Sequence, residues 1–146
     1  MKILVDADAC PVKEIIVRLA KAAGIPVTMV IDTSHQLNDG YSRVLTVDKG
    51  ADSVDFALMG LLTNQDIVVT QDYGLAAMAL GKGAQAINQN GWVYSDENMD
   101  RLLMERHLSG KIRRSGGRTK GPSKRKKEDD EKFETAFKNL LKSKTH

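Results

Sequence analysis

Aspartates stand where several short apolar runs of this sequence end. They are Asp6 and Asp8 after residues 3–5, Asp48 after residues 44–47 and Asp72 after residues 67–70. Carboxylates that crowd within a few ångströms repel one another and raise one another's pKa unless a cation neutralises them. Hard oxygen ligands suit Mg²⁺ or Mn²⁺ better than zinc. The pattern therefore predicts a Mg²⁺ or Mn²⁺ site, provided that the apolar runs are strands with a common edge.

Two further aspartates lie at the start of a predicted helix. Asp52 and Asp55 are three residues apart, which places them on one helix face. Asp is also a favoured N-cap, so Asp8, Asp52 and Asp72 could each simply cap a helix. Capping does not account for Asp6, which precedes its helix by too many residues, or for Asp55, which is one turn inside. A shared metal site is therefore the interpretation that we favour.

The hydrophobic pattern predicts the elements that would hold these side chains. Short apolar runs indicate strands, and apolar residues at helical spacing indicate helices. The predicted strands cover residues 3–5, 27–31, 44–47, 67–70 and 85–87, and the predicted helices cover residues 12–23, 53–62, 73–80 and 96–108. This alternation predicts an α/β fold with a mainly parallel sheet of about five strands and helices on both faces. Ligands bind such sheets at the carboxyl ends of the strands, where the aspartates lie.

Four segments of the sequence resemble the YaiI/YqxD family of bacterial proteins. They are residues 6–11 (DADACP), 49–55 (KGADSVD), 66–76 (DIVVTQDYGLA) and 82–84 (KGA). The resemblance extends over nearly the whole chain. That family in turn is similar to PIN domains, which are metal-dependent ribonucleases. In PIN domains an Asp ends the first strand, acids lie on a central helix and Thr-x-Asp follows the fourth strand.

The resemblance implies a PIN-like fold and an RNA-cutting site that uses Mg²⁺ or Mn²⁺. By position, the PIN elements fall on Asp6, on Asp52 and Asp55, and on Thr70 with Asp72. If that mechanism holds, Asp6, Asp55 and Asp72 are metal ligands, Asp8 and Asp52 are further ligands or hydrogen-bond acceptors behind them, and Thr70 orients water or a phosphate oxygen. This sequence has Asp where the PIN helix usually carries Glu, and it adds Asp8. A threonine in a strand is also common for its β-propensity alone.

The net charge of +3 is unevenly distributed. Residues 1–110 hold nine Lys/Arg and fourteen Asp/Glu, whereas residues 111–127 hold nine basic residues and no acid. We predict a PIN-like domain over 1–110, a flexible basic arm over 111–127 and an amphipathic helix over 128–146 that docks on the body. A basic arm can neutralise phosphates, although it can also be a solvated linker. The predicted RNA-binding residues are Arg113, Arg114, Arg118, Lys120, Lys124, Arg125, Lys126 and Lys127.

Other residue types exclude several kinds of site. A single cysteine, Cys10, excludes an internal disulfide, and we expect it to be a small buried residue. Trp92 could stack a base, but a lone tryptophan in a small domain more often anchors the core. The chain has neither a P-loop nor a Gly-x-Gly-x-x-Gly motif, so we predict no nucleotide cofactor. The early Asp6 interrupts any apolar signal segment, and we expect a cytoplasmic protein without membrane association.

Two alternatives to a ribonuclease remain at this point. Asp-x-Asp after a buried strand is also how haloacid-dehalogenase-type phosphatases present a nucleophile, which would here be Asp6. Alternatively, the protein is a non-catalytic RNA-binding or assembly factor in which the acids bind a structural ion. Homo-oligomerisation is left open.

Overall fold

The computed structural model describes residues 1–32, 36–50, 53–114, 116 and 124–145. The strands are β1 (Ile3–Asp6), β2 (Val27–Asp32), β3 (Arg43–Val47), β4 (Ile67–Val69) and β5 (Gln85–Ile87). The helices are α1 (Lys13–Ala23), α2 (Ser53–Leu61), α3 (Tyr73–Gly81), α4 (Asp96–Arg114) and α5 (Lys127–Thr145). Among the described residues, no helix combines the length and hydrophobicity needed to cross a membrane.

The five strands form one parallel sheet in the order β3-β2-β1-β4-β5. The predicted fold class is confirmed. The chain moves outward from β1 through β2 to β3, and then crosses to β4 on the other side of β1. The strand order therefore reverses between β1 and β4, and in sheets of this type the crevice for ligands opens at that point.

Helices cover both faces of the sheet because the strands are apolar on both faces. Ile3 and Val5 of β1 face α1 and α5, whereas Leu4 between them faces α2, α3 and α4. All three side chains are fully buried. This is the near-continuous apolar pattern expected of a central parallel strand, and it makes β1 the most enclosed support for any group at its end.

The C-terminal helix α5 completes one of these two layers. Phe133 and Phe137 are fully buried against the sheet, with their rings stacked at a centroid distance of 5.2 Å. Arg18 of α1 and Glu134 of α5 form an ion pair across the exposed side of this contact. Burial of two phenylalanine side chains stabilises the docked helix by several kcal/mol, on the order of 1.5–3 kcal/mol each.

The predicted boundaries of the basic arm differ from those in the structure. Helix α4 continues to Arg114, and α5 already begins at Lys127. The sequence favours helix at Lys111 and the three residues after it, whereas the Ser-Gly-Gly sequence at 115–117 has a low helix propensity. Arg118 and Lys120 lie outside the described residues. The backbone of Arg113 and Arg114 is described, but their side chains are not.

A buried ion pair joins β1 to β4 at the opposite edge of the sheet. Asp66 is 1% exposed, and its carboxylate accepts from Lys2 Nζ at 2.7 Å, from Lys2 N at 3.0 Å and from Thr63 N at 2.8 Å. Burial by itself would raise the pKa of Asp66, but the hydrogen bonds from Lys2 and Thr63 lower it below its usual value. The ionised carboxylate therefore stabilises the start of both central strands.

We predict that Asp66→Ala lowers the free energy of unfolding by about 2–4 kcal/mol at pH 7, because the buried donors lose their acceptor. A lowered pKa in the folded state adds stability above the unfolded pKa, and this stability disappears as the pH falls through the folded value. The difference between wild type and variant should therefore shrink below about pH 4. Urea unfolding at several pH values measures this, with the exposed Asp100→Ala as a control that should change little.

Candidate active site

The candidate site lies where the strand order reverses. Asp6 is the last residue of β1, and Thr70 follows the adjacent parallel strand β4. The Thr70 hydroxyl donates to Asp6 Oδ2 at 3.0 Å and accepts from Asp72 N at 3.0 Å. One buried hydroxyl thus joins two segments that are 64 residues apart in sequence. The structure gives Thr70 a positioning role that β-propensity does not explain.

The surroundings of Asp6 shift the pKa of its carboxyl group strongly. Burial raises its pKa to about 6, the hydrogen bond from Thr70 lowers it, and the charges of Asp55, Asp72 and Asp8 raise it further. These four aspartates, all predicted site residues, therefore interact electrostatically although they come from three different parts of the chain. The repulsion among them is the condition that a divalent cation would relieve.

Helix capping explains one of these aspartates but not another. Asp72 Oδ1 accepts from Gly74 N at 2.9 Å and from Leu75 N at 3.2 Å, which is an N-cap of α3. Asp8 does not cap α1, whose N-cap is Val12 without a side-chain hydrogen bond. Asp8 Oδ2 instead accepts from Asp32 N at 3.1 Å and so fixes the end of β2. The predicted candidate Asp52 lies outside the described residues.

The donor chemistry of the site suits a hard divalent cation. Asp6 uses Oδ2 for Thr70, and Asp72 uses Oδ1 for its cap, so each keeps one oxygen without a hydrogen bond from the described residues. In the described part of the chain, however, no three His, Cys, Asp or Glu side chains are grouped closely enough to hold an ion. The oxygens fit Mg²⁺ or Mn²⁺ in kind, and an ion bound here would have to draw the carboxylates closer together than they lie in this structure.

A second hydrogen-bonded chain holds Thr70 from behind. The buried Tyr94 hydroxyl donates to Thr70 O at 3.1 Å and accepts from Asn88 Nδ2 at 3.0 Å. Burial raises the pKa of Tyr94 to about 12, so this hydroxyl keeps its proton. Trp92 packs edge-on against Tyr94, with ring centroids 4.6 Å apart, and it belongs to this aromatic support. Asn88 and Tyr94 could not be predicted as part of the site, because nothing in the local sequence signals a contact across 24 residues.

Lys13 is a cation at this edge that was not among the predicted site residues. It is the first residue of α1, and its Nζ lies 3.5 Å from Ala7 O, between Asp6 and Asp8 in sequence. A basic side chain in the first turn opposes the helix dipole, and this mismatch is a signal that could have identified it. Ala9, in the same loop, has a φ of 58°, which is uncommon for a residue with a side chain and indicates a constrained turn.

The buried Cys10 behaves as predicted. It is 8% exposed, and burial raises the pKa of its thiol, which disfavours the thiolate.

Arg125, one of the predicted RNA-binding residues, makes three side-chain hydrogen bonds within the protein. Its Nε donates to Asp130 Oδ1 at 2.8 Å, Nη1 to Asn90 Oδ1 at 2.9 Å and Nη2 to Gln89 O at 2.9 Å. Its side chain is only 22% exposed. Arg125 therefore fastens the end of the arm to the loop after β5. The neighbouring basic residues, Lys124, Lys126 and Lys127, are exposed.

Comparison with known proteins identifies the family. The model described as "Uncharacterized BCR, YaiI/YqxD family" matches residues 4–143. The chain belongs to the YaiI/YqxD family. Its relatives include a UPF0178 protein of Ruminiclostridium cellulolyticum, 67% identical over 137 residues, covering 94% of this chain and 90% of the relative. A UPF0178 protein of Clostridium acetobutylicum is 57% identical over 143 residues, covering 97% of each chain.

Among solved structures, this member of the YaiI/YqxD family is similar to a variant of Rae1 (YacP) from Bacillus subtilis. The TM-score is 0.44 at 18% identity, and the match covers 98% of this chain and 99% of that one. A likeness of this degree does not carry a function from one protein to the other.

The raised pKa of Asp6 predicts how its removal changes stability. The pKa of Asp6 is about 6 in the folded protein, against an ordinary value of 3.8. The protonated carboxyl group therefore contributes its full stabilisation below about pH 4, and this contribution is lost as the pH rises to about 6. In metal-free buffer, Asp6→Asn should remove this pH dependence and raise the free energy of unfolding at pH 7 by about 1–3 kcal/mol. Chemical unfolding between about pH 4 and pH 8 in EDTA measures both effects.

The matched control is Asp48→Asn, which removes an exposed carboxylate just after β3. It should leave the wild-type pH dependence in place. If Asp6→Asn were strongly destabilising at pH 7, Asp6 would be a structural acceptor that the fold requires in ionised form.

The contacts of Arg125 predict that it stabilises the docked arm. Arg125→Ala should lower the free energy of unfolding by about 1–2 kcal/mol and speed amide hydrogen exchange in residues 88–95, because three hydrogen bonds are lost. Lys126→Ala removes the same charge from an exposed neighbour and should change neither measurement. Equal effects of the two substitutions would mean that net charge, and not the contact with Gln89 and Asn90, is responsible.

Proposed function

We propose that this protein is a metal-dependent ribonuclease that hydrolyses RNA phosphodiester bonds at the aspartate cluster around Asp6. The observation that carries the proposal is the electrostatic interaction of Asp8, Asp55 and Asp72 with the half-buried Asp6 at the point where the strand order reverses. Mutually repelling carboxylates at this position are typical of catalytic sites. The resemblance of the family to PIN domains supports the same chemistry, since the matching residues are those that converge.

In this proposal, Asp6, Asp55 and Asp72 would hold Mg²⁺ or Mn²⁺, which would draw their carboxylates together. When bound, the ion supplies charge neutralisation at the phosphate and activation of water. Thr70 keeps the Asp6 carboxylate in one orientation, because its proton is directed to Oδ2 by the amide of Asp72 on its other side. The cap on α3 does the same for Asp72 and leaves its second oxygen for the ion.

RNA can bind at this acidic site only if basic residues nearby offset the negative charge of the protein. Residues 1–110 carry five more acids than bases, fourteen against nine, and electrostatic repulsion weakens RNA binding to such a surface. Lys13 provides one cation at the site, and exposed Lys124, Lys126 and Lys127 provide others at the docked end of the arm. We propose that these lysines contact the RNA backbone, with Arg125 acting as the attachment that orients them.

One observation favours a non-catalytic alternative. The described side chains include no group of three acids that could hold an ion, as would be expected if the acids served RNA binding or assembly only. A cleavage assay separates the two functions. Detection of phosphate on Asp6 in the same preparation would instead favour the haloacid-dehalogenase-type alternative.

The proposal predicts opposite effects for two sets of substitutions. Asp72→Asn keeps an oxygen that can cap α3, and should abolish Mn²⁺-dependent RNA cleavage while leaving RNA affinity equal or higher. Replacing Lys124, Lys126 and Lys127 with Gln should weaken RNA binding. It should also reduce the log–log salt slope by about 0.7 for each lost contact with single-stranded RNA. Cleavage of a labelled RNA and fluorescence anisotropy at several salt concentrations measure the two effects.

The control for the lysines is Lys138→Gln combined with Lys142→Gln, two exposed positions on α5. This variant should keep the wild-type salt slope. If Asp72→Asn cleaves RNA as the wild type does, the aspartate cluster is not the site of hydrolysis. An unchanged salt slope in the triple variant would mean that the arm does not bind RNA.

A further inference from the structure

An apolar groove opens beside the candidate site, between α2 and α3. It has a volume of about 340 Å³ and is lined by Asp55, Phe56, Met59 and Met78. Asp55 is the link to the site, because its charge also acts on Asp6. A ligand in this groove would therefore lie next to the carboxylates that we propose as the hydrolytic centre.

The exposure of Phe56 is unusual in this molecule. Its side chain is 78% exposed, whereas Phe133 and Phe137 are fully buried. Met78, on the other side of the groove, is 43% exposed. Neither the core of the protein nor any described contact with another helix accounts for an aromatic ring in this position. An exposed aromatic ring beside a polar site is typical of surfaces that bind a planar ligand.

We propose that this groove is a nucleobase subsite, in which one base of a single-stranded RNA stacks on the ring of Phe56 and rests against Met59 and Met78. The inference rests on the proposed RNA substrate and deepens it, since it names an unpaired, unstacked base as the feature recognised next to the site. Stacking on an aromatic ring is available to every base, and it adds affinity without requiring charge. Such affinity is valuable at an edge where carboxylates repel the phosphates.

A second copy of the chain is a less suitable occupant. A two-fold symmetric contact would place the same patch of both copies face to face. Asp55 and the carboxylates that act with it would then approach their own counterparts, within bodies that each carry an excess of acids over residues 1–110. A neutral base avoids this repulsion. Its attached phosphates can be met by the lysines of the arm and by Lys13.

The test compares RNA with an abasic oligonucleotide of the same length and charge, measured by fluorescence anisotropy in EDTA at low salt. The wild type should bind the base-bearing strand about tenfold more tightly than the abasic one. Phe56→Ala should lose this preference without changing the affinity for the abasic strand. Phe56→Tyr keeps an aromatic ring and should therefore keep the preference for the base-bearing strand. Because Phe56 is exposed, its removal should leave the melting temperature nearly unchanged, which thermal unfolding checks.

Met104→Ala provides the matched control, since it removes another exposed apolar side chain, 57% exposed on α4. It should keep the full preference for bases. Persistence of the preference in Phe56→Ala, or its absence in the wild type, would overturn the subsite. Sedimentation of the wild type as a dimer that Phe56→Ala dissociates, with RNA binding unaltered, would also overturn it and assign the groove to a second copy.

These outcomes are separable from the fate of the proposed hydrolysis, because binding is measured without divalent metal. A protein that prefers base-bearing RNA but cleaves none with Mn²⁺ would retain the subsite and lose the ribonuclease activity. A protein that cleaves RNA but binds both strands equally would retain the ribonuclease activity and lose the subsite.

Discussion

The partial burial of a carboxylate at the end of the central strand is the constraint on which the candidate site depends. Asp6 ends β1, whose preceding residues are fully enclosed by helices on both faces. Transfer of a charge into such surroundings is costly unless donors or a cation compensate it. The Thr70 hydroxyl compensates part of that cost, while Asp8, Asp55 and Asp72 increase it. The fold therefore maintains at this edge a concentration of negative charge that stability alone would not favour, and this is a common feature of functional sites.

The loop after β5 connects this charge to the C-terminal part of the chain. Asn88 and Tyr94 of the loop support Thr70, while Gln89 and Asn90 receive Arg125. The loop also approaches α5 closely at Gly91. A Cβ there would lie 2.6 Å from the Lys132 carbonyl carbon, so a side chain would push the loop away from the helix. The loop after β5 consequently contacts the docked helix α5 and the end of the basic arm, and it also supports Thr70 beside Asp6.

This arrangement divides opposite charges between two parts of one chain. In the proposed function, the acidic edge would hold the cation, and the basic arm, which has no acidic residue over 111–127, would hold the polyanion. The contacts of Arg125 bring the two together, since they fix one end of the arm near the edge that carries the aspartates. The position of this arginine, more than its charge, is what the structure adds to the argument from composition.

The sequence by itself determined the fold class and the edge of the sheet at which the candidate site lies. Apolar runs such as Ile3-Leu4-Val5 are long enough for strands and too short for helices, so the order of elements followed from local patterns. Because the strands are parallel, their carboxyl ends lie at one edge of the sheet, which places Asp6 and Asp72 there. The sequence also indicated the docking helix through the helical spacing of Phe133 and Phe137.

Only the tertiary structure decided which partner each side chain has. Asp72 caps α3 whereas Asp8 bonds to the end of β2, although both are aspartates ahead of a helix. Arg125 is hydrogen-bonded to Asp130 and to the loop after β5, and Phe56 is exposed although it is as apolar as the two buried phenylalanines. The physical reason is that local sequence sets backbone preference and amphipathicity. Hydrogen-bond partners and burial depend instead on residues that are distant in sequence and adjacent only after folding.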